Sequence, residues 1–221
     1  MPEKTVISDY VQDGLVLAYD GYQAPSGGVW KDLSGGGNHL TLSSTAVYND
    51  TYHFMSFSDQ KSVTAGIVPL PTTATIEWVY GRTLSSLTIF QSSAASWPYS
   101  PSLSLYNAYN LRYNQASGSG YIAGVSIGGG IKDADESSMP NLHQLAFSLD
   151  KVEVWYKNSG QSEATHVGPK TQTNTSIIDS SDQLKVGSTG LRLHALRIYN
   201  RYLTEDELLR NRTLDAKRFN L

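Results

Sequence analysis

The sequence predicts an all-β domain, a two-sheet antiparallel sandwich with a short C-terminal α-helix. Three observations carry that prediction. About a dozen short segments alternate apolar with polar residues, and turn residues separate them roughly every 8 to 12 positions, the pattern of a sandwich rather than of βαβ units. The composition holds 14 Tyr among abundant Gly, Ser and Thr, which favours strands and turns over helices. Finally, the last thirty or so residues read as one long strand, a tight turn and a capped helix.

Taken in order, residues 3–8 suggest a short edge strand. Leu15, Leu17 and Tyr19 alternate with Val16 and Ala18, so both faces of that strand are apolar and a central place in a sheet is expected. Residues 24–28 form a loop. Trp30 then leads into Asp32-Leu33-Ser34-Gly35-Gly36-Gly37-Asn38, a turn whose glycines supply backbone freedom and whose Asp32 and Ser34 can bond back to nearby N–H groups. Strands are predicted at 53–57, 74–82, 87–91, 102–107, 109–114 and 120–127. Ala74, Ile76, Trp78 and Tyr80 share one face, read as core. Gly128 to Gly130 break the chain and residues 132–138 form a charged loop. Strands resume at 142–149, with Leu145, Phe147 and Leu149 inward, and at 152–157, with Val152, Val154 and Tyr156 inward. Lys157-Asn158-Ser159-Gly160 is a hairpin-type turn. The polar stretch 161–182 offers a single short strand near His166, and Leu184 and Val186 begin the next.

The closing strand, 191–199, is expected to keep a strict period of two. That places Leu191, Leu193, Ala195, Arg197 and Tyr199 on one face and Arg192, His194, Leu196 and Ile198 on the other. Thr204-Glu205-Asp206-Glu207 spells a capping box, with three acidic residues where the helix dipole favours anions.

The totals exclude several function classes. A chain of 221 residues suits one large β domain, and 39% hydrophobic content suits sheets with one wet face. A net charge of −3 makes no electrostatic case for nucleic acid or an anionic membrane surface. No apolar window is long enough to span a bilayer as a helix. The absence of cysteine removes disulfides, thiolate metal sites and cysteine catalysis. No internal repeat and no domain linker interrupts the chain, so residues 1–221 are read as one domain.

Both ends carry a resemblance. "LRIYNRYLTEDELLRN", followed by "DAKRFNL", resembles the closing signature of the laminin G-like module of the concanavalin A-like lectin/glucanase superfamily. "DGLVLAYDG" and "WKDLSGGGNHLTL" resemble its opening strand and its W-x-D-x-S-G-x-G-N turn. The middle of the chain matches only in style, in "TATIEWVY" and "KVEVWYKNSG", so no ligand residue is carried across. The resemblance implies a jelly roll in which the closing strand and helix lie near the opening strand.

Candidate sites divide by chemistry. Asp32 and Asn38 could ligate a hard cation such as Ca2+ with carbonyls of the glycine-rich turn, although such sites normally collect six or more oxygens and a self-bonded turn explains the same residues. Asp20, Asp59 and Asp133 are further carboxylates that could join it. Trp97-Pro98-Tyr99-Ser100-Pro101 cannot be a central strand, which puts Trp97 and Tyr99 on a loop. Tyr106, Asn107, Tyr109, Asn110 and Tyr113 follow. Aromatic faces that stack on sugar rings and amides that bind hydroxyls make Trp97, Tyr99, Tyr106, Asn107 and Tyr109 the candidate carbohydrate site. Tyrosines alternating across two hairpin strands are the plainer explanation, and aromatic enrichment also marks protein interfaces. Trp30, Trp78 and Trp155 are expected in the core. The five histidines have no metal-type spacing.

Catalysis on this fold would need clustered carboxylates on one strand, because glycoside hydrolysis places an acid and a nucleophile or base at fixed separation. Glu77 and Glu153 each stand alone, Asp133, Asp135 and Glu136 lie in a loop, and Glu205 and Glu207 cap a helix. "GVSIG", 124–128, matches the letters of a nucleophile elbow but reads as strand with no helix after it. No catalytic residue is therefore assigned.

The expectation is a non-catalytic binding or adhesion module, carbohydrate-binding, with a glycan or bacterial surface polysaccharide as partner. No apolar signal segment opens the chain, which fits a piece of a longer secreted protein, a virion protein or a cytoplasmic protein. The virion setting is preferred here, as a phage head fibre, decoration or tail-associated protein beside other virion proteins, with homo-oligomers expected. The alternative is a structural virion or cell-surface protein with a protein interface, and a glucanase or polysaccharide lyase stands third.

Overall fold

The computed structural model describes residues 7–82, 87–92, 102–106, 110–114, 123–126, 140–148, 150–158, 160–171 and 180–221. Its strands are β1 (Leu15–Asp20), β2 (Val29–Trp30), β3 (Leu40–Thr41), β4 (Val47–Asn49), β5 (Phe54–Phe57) and β6 (Ser62–Thr64). Next come β7 (Val68–Leu70), β8 (Ala74–Arg82), β9 (Leu87–Ser92), β10 (Ser102–Tyr106), β11 (Asn110–Asn114) and β12 (Ala123–Ser126). The series ends with β13 (Asn141–Phe147), β14 (Lys151–Lys157), β15 (Thr165–Thr171), β16 (Ser180–Asp182), β17 (Leu184–Val186) and β18 (Leu191–Tyr199), before the helix α1 (Glu205–Phe219).

Two antiparallel eight-stranded sheets form the sandwich. The first runs β15-β14-β13-β8-β18-β5-β4, with β1 also on β18, and the second runs β12-β11-β10-β9-β17-β6-β3-β2. A two-stranded ladder, β16-β7, stands apart. The inner faces meet in one core. Ile76, Trp78 and Tyr80 of β8, Leu145 and Phe147 of β13, and Val152, Val154 and Tyr156 of β14 pack there against Trp30, Leu40, Ile89, Phe90, Leu184 and Val186 of the second sheet. The expected inward faces of 74–82, 142–149 and 152–157 are therefore the observed ones; Leu149 lies outside the described residues.

The outer face of the first sheet is not wet at its middle. Helix α1 lies over it, so β13 is buried along its whole length. Val11, Ala146, Trp155, Tyr199, Leu203 and Leu208 form an apolar cluster on this side, and Val79, Leu142, Ala195 and Phe219 form another. The capping box is present as read: Thr204 accepts from the Glu207 N–H, and the Glu207 carboxylate accepts from the Thr204 N–H at 2.9 Å. Glu207 also takes two hydrogen bonds from Arg201, at 2.9 and 2.6 Å. Those bonds hold its pKa down to about 2.

Three expectations need correction. Residues 7–9 form a single 3-10 turn rather than a strand, closed by the Tyr10 N–H donating to the Ile7 carbonyl, which turns Tyr10 under the helix; residues 3–6 lie outside the described set. Strand β1 is apolar on both faces as expected, but among the described residues it pairs only with β18, so it is enclosed by layers and not by ladders. Strand β18 does not keep its period. Its register with β8 slips between Leu193 and Ala195, so Leu193 faces Tyr80 and Ala195 faces the adjacent Val79. One extra residue reverses every later side chain. Leu191, Leu193, Leu196 and Ile198 consequently point into the sandwich core, while Ala195 and Tyr199 belong to the clusters on the helix side.

The bulge also fixes a close approach. The Gly21 N–H donates to the His194 carbonyl at 2.6 Å, and a Cβ at Gly21 would fall 1.8 Å from the His53 carbonyl oxygen. No side chain fits there. The His194 ring stands edge-on to Phe54 at 5.3 Å and to Phe219 at 5.6 Å. Burial pushes its pKa down from the usual 6.5 to about 3.

The folded pKa of His194 lies below the unfolded one, so the unfolded chain binds the extra proton between them. Stability contributed by the neutral ring is complete above pH 6.5 and is lost as pH falls toward about 3. Urea melts at pH 7, 5 and 4 are expected to show a decline steeper than that of His194→Phe, with His194 adding up to about 1.4 kcal/mol per pH unit. Equal slopes would contradict the assignment.

Candidate functional site

The turn at Asp32 is built by the Asp32 carboxylate itself. Oδ1 accepts from the N–H groups of Ala18 and Ser34, both at 2.9 Å. Oδ2 accepts from the Ser34 hydroxyl and the Asn38 N–H, also both at 2.9 Å. Asn38 in turn donates its side-chain amide to the Val16 carbonyl, and its own carbonyl accepts from Tyr19 Oη at 2.6 Å. Asp32 and Asn38, 3% and 5% exposed, thus stitch the turn to β1. A cation there would compete with four internal donors for one carboxylate. The other carboxylates raised for this site are engaged elsewhere: Asp20 with Arg218, and Asp59 with Ser43 and Thr45. Asp133 lies outside the described residues. Among the described residues no group of three or more His, Cys, Asp or Glu is placed to hold a metal ion.

The aromatic candidates are reached only through the strands that carry them. Trp97, Tyr99, Asn107 and Tyr109 lie outside the described residues, and of Tyr106 only the strand position is described. In the second sheet Tyr106 pairs with Asn110 across β10 and β11, and Leu103 pairs with Tyr113. Residues 93–101 join β10 at Ser102, whereas residues 107–109 join it at Tyr106. Those two ends are roughly 14 Å apart for a strand of this length. The candidates therefore attach to the two ends of one strand.

The isolated carboxylates of the sequence are both buried, in different company. Glu77 accepts from Arg197 Nε at 2.9 Å, from Gln144 at 2.6 Å and from Asn211 at 3.0 Å, sealed beneath α1. Burial raises its pKa. Glu153 is different, because Tyr202, His166 and Lys151 surround it and leave its side chain 11% exposed. Its Oε1 accepts a short hydrogen bond from Tyr202 Oη, and its Oε2 lies 3.0 Å from His166 Nε2. Lys151 Nζ is 3.7 Å from Oε1 and 4.0 Å from the centre of the Tyr202 ring. The His166 ring lies flat on Trp155, with centres 4.4 Å apart and planes 7° from parallel. Burial, and then the bond to Glu153, push the Tyr202 phenol pKa upward, so Tyr202 is the donor.

This group combines strand alternation with pairing. Lys151, Glu153 and Trp155 share the outer face of β14, and Trp155 pairs with His166 of β15. The alternation is visible in "KVEVWY"; the pairing is not, because Gly168 and Pro169 make 165–171 an unpromising strand. Strand β15 survives as a sheet edge, where a proline costs no ladder bond.

Asp32→Ala is expected to lower unfolding free energy by roughly 2–4 kcal/mol in urea melts, because four donors lose their acceptor. A loss below about 1 kcal/mol would show that the glycines alone hold the turn.

No protein-family model matches the sequence, and no curated protein sequence matches it. Solved structures do share the fold. The binding domain of botulinum neurotoxin DC in complex with SialylT superposes with a TM-score of 0.60 at 11% identity, over 91% of this chain and 52% of that one. The botulinum neurotoxin serotype D binding domain gives 0.59 at 10% identity, over 92% and 52%. Trypanosoma rangeli sialidase in complex with sialic acid gives 0.57 at 12% identity, over 89% and 32%. The chain spans about a third of the sialidase and about half of the toxin binding domains. At these identities the likeness is one of fold alone, a two-sheet antiparallel β-sandwich.

Proposed function

We propose that this protein is a non-catalytic carbohydrate-binding module that acts in adhesion. The observation that carries the reading is the fold itself, a lectin-like sandwich whose solved relatives in shape include one captured with SialylT and one with sialic acid. The carboxylates support the non-catalytic part. Glu77 is sealed under α1, and Glu153 faces Tyr202, His166 and Lys151 rather than a second carboxylate. Hydrolysis by a carboxylate pair needs two such groups at fixed separation across an open cleft. Display in many copies, as on a phage head fibre or tail, suits a weak site because linked copies gain effective concentration.

A second reading, a structural protein packed against other proteins, draws on two exposed aliphatic side chains. Val47 on the edge strand β4 is 63% exposed and Ile67 before β7 is 62% exposed.

A glycan array, run in calcium and again in EDTA, tests the first reading. Binding of at least one glycan class is expected, and Trp97→Ala with Tyr99→Ala is expected to weaken it about tenfold. A hit lost in EDTA would assign a cation to the site. A folded protein that binds no glycan, and that light scattering shows as a fixed oligomer, would favour the structural reading.

A further inference from the structure

The end of the outer face around Glu153 is a second place where a sugar can be held, and the side chains of Lys151, Glu153, His166 and Tyr202 there are described. Helix α1 covers β8, β13 and the Trp155 end of β14, through Leu208 against Ala146 and Trp155. Beyond that edge β14 continues with Glu153 and Lys151, flanked by His166 from β15 and Tyr202 from the turn before α1. We propose that this shelf binds a neutral hexopyranose through two adjacent hydroxyls, with the His166 ring as its stacking platform. This rests on the carbohydrate-binding reading above and names a site for it.

The groups fit that ligand class one by one. The His166 side chain is 39% exposed, and its inner face is fixed by the Trp155 ring at 4.4 Å. A ring held flat from behind presents one face to solvent at little entropic cost, the preorganisation that weak ligands need. Glu153, 11% exposed on its side chain, has a short bond and the Lys151 contact on Oε1 and one contact on Oε2, which leaves lone-pair capacity on Oε2 to accept a hydroxyl at its exposed edge. Lys151 is 43% exposed on its side chain, sits beside that carboxylate, and keeps ammonium protons to donate to the neighbouring hydroxyl. An acceptor and a donor side by side match two adjacent hydroxyls.

Charge selects against an anionic sugar. Among the described side chains the shelf sets one ammonium against one carboxylate, and Asp150 stands at its rim. With no excess of positive charge among the described side chains, a sugar carboxylate faces Glu153 here. The chemistry therefore differs from that of a sialic acid site.

The test is an array carrying neutral hexosides and sialylated glycans, followed by calorimetric titration of the strongest neutral hit. Wild-type protein is compared with His166→Ala and with Lys151→Met, which removes the ammonium over Tyr202 and keeps an unbranched side chain. The expected result is neutral-glycan binding that falls about tenfold or more in both variants while far-ultraviolet circular dichroism is unchanged. Undiminished binding in folded variants would overturn the shelf and leave the carbohydrate-binding reading standing. Binding confined to sialylated glycans would overturn the ligand class. No binding by the wild-type protein would overturn both.

Discussion

One buried guanidinium constrains the rest of this structure. Arg197 is 1% exposed on the outer face of β18, where neither water nor backbone can compensate its charge. It meets Glu77 from β8 at 2.9 Å and, in a shorter bond, Asp215 from α1, while its plane lies 4.2 Å from the centre of the Tyr10 ring. Burial works against its charge, but Asp215 and Glu77 together push its pKa well above the ordinary value. Such a pair adds little net stability over an apolar one of equal volume, yet losing one partner leaves charge stranded in the interior. Its effect is positional: the helix has one seat on the sheet.

The other polar contacts of the interface extend that seat. Asn211 joins Glu77, Tyr199 and the Val11 N–H, and Gln144 joins Glu77, Arg212 and the Leu208 carbonyl. Arg218 grips Asp20, so the end of the helix holds the end of the first strand. Chain termini, closing strand and helix thus form one unit. The polar group around Glu153 lies on the same outer face, built from β14, β15 and the turn before the helix.

Much of this was legible in the residues, and the failures have physical causes. The inward faces of β8, β13 and β14 follow from alternation alone, because a strand has only two faces. The capping box and the Asp32 turn are local chemistry and were read locally. Strand β18 was misread beyond His194 because a bulge depends on partners in β8 and β1 that no single segment displays. Glu77, Gln144 and Asp215 look like ordinary surface residues in sequence, since only the packing of α1 makes their surface an interior. His166 and Glu153 are separated by a turn and become neighbours through the β14–β15 pairing. Two-residue strands such as β2 and β3 carry no periodicity to detect.

The most direct measurement is the stability of Arg197→Met, combined with hydrogen exchange across α1 and β18. The account predicts a loss of roughly 3–5 kcal/mol, since Glu77 and Asp215 are left buried without their counter-charge. It also predicts that the amides of α1 lose protection ahead of those of β8 and β13. A loss below about 1 kcal/mol, with α1 as protected as before, would contradict it and show that the apolar contacts of Leu203, Leu208 and Phe219 seat the helix without the charge.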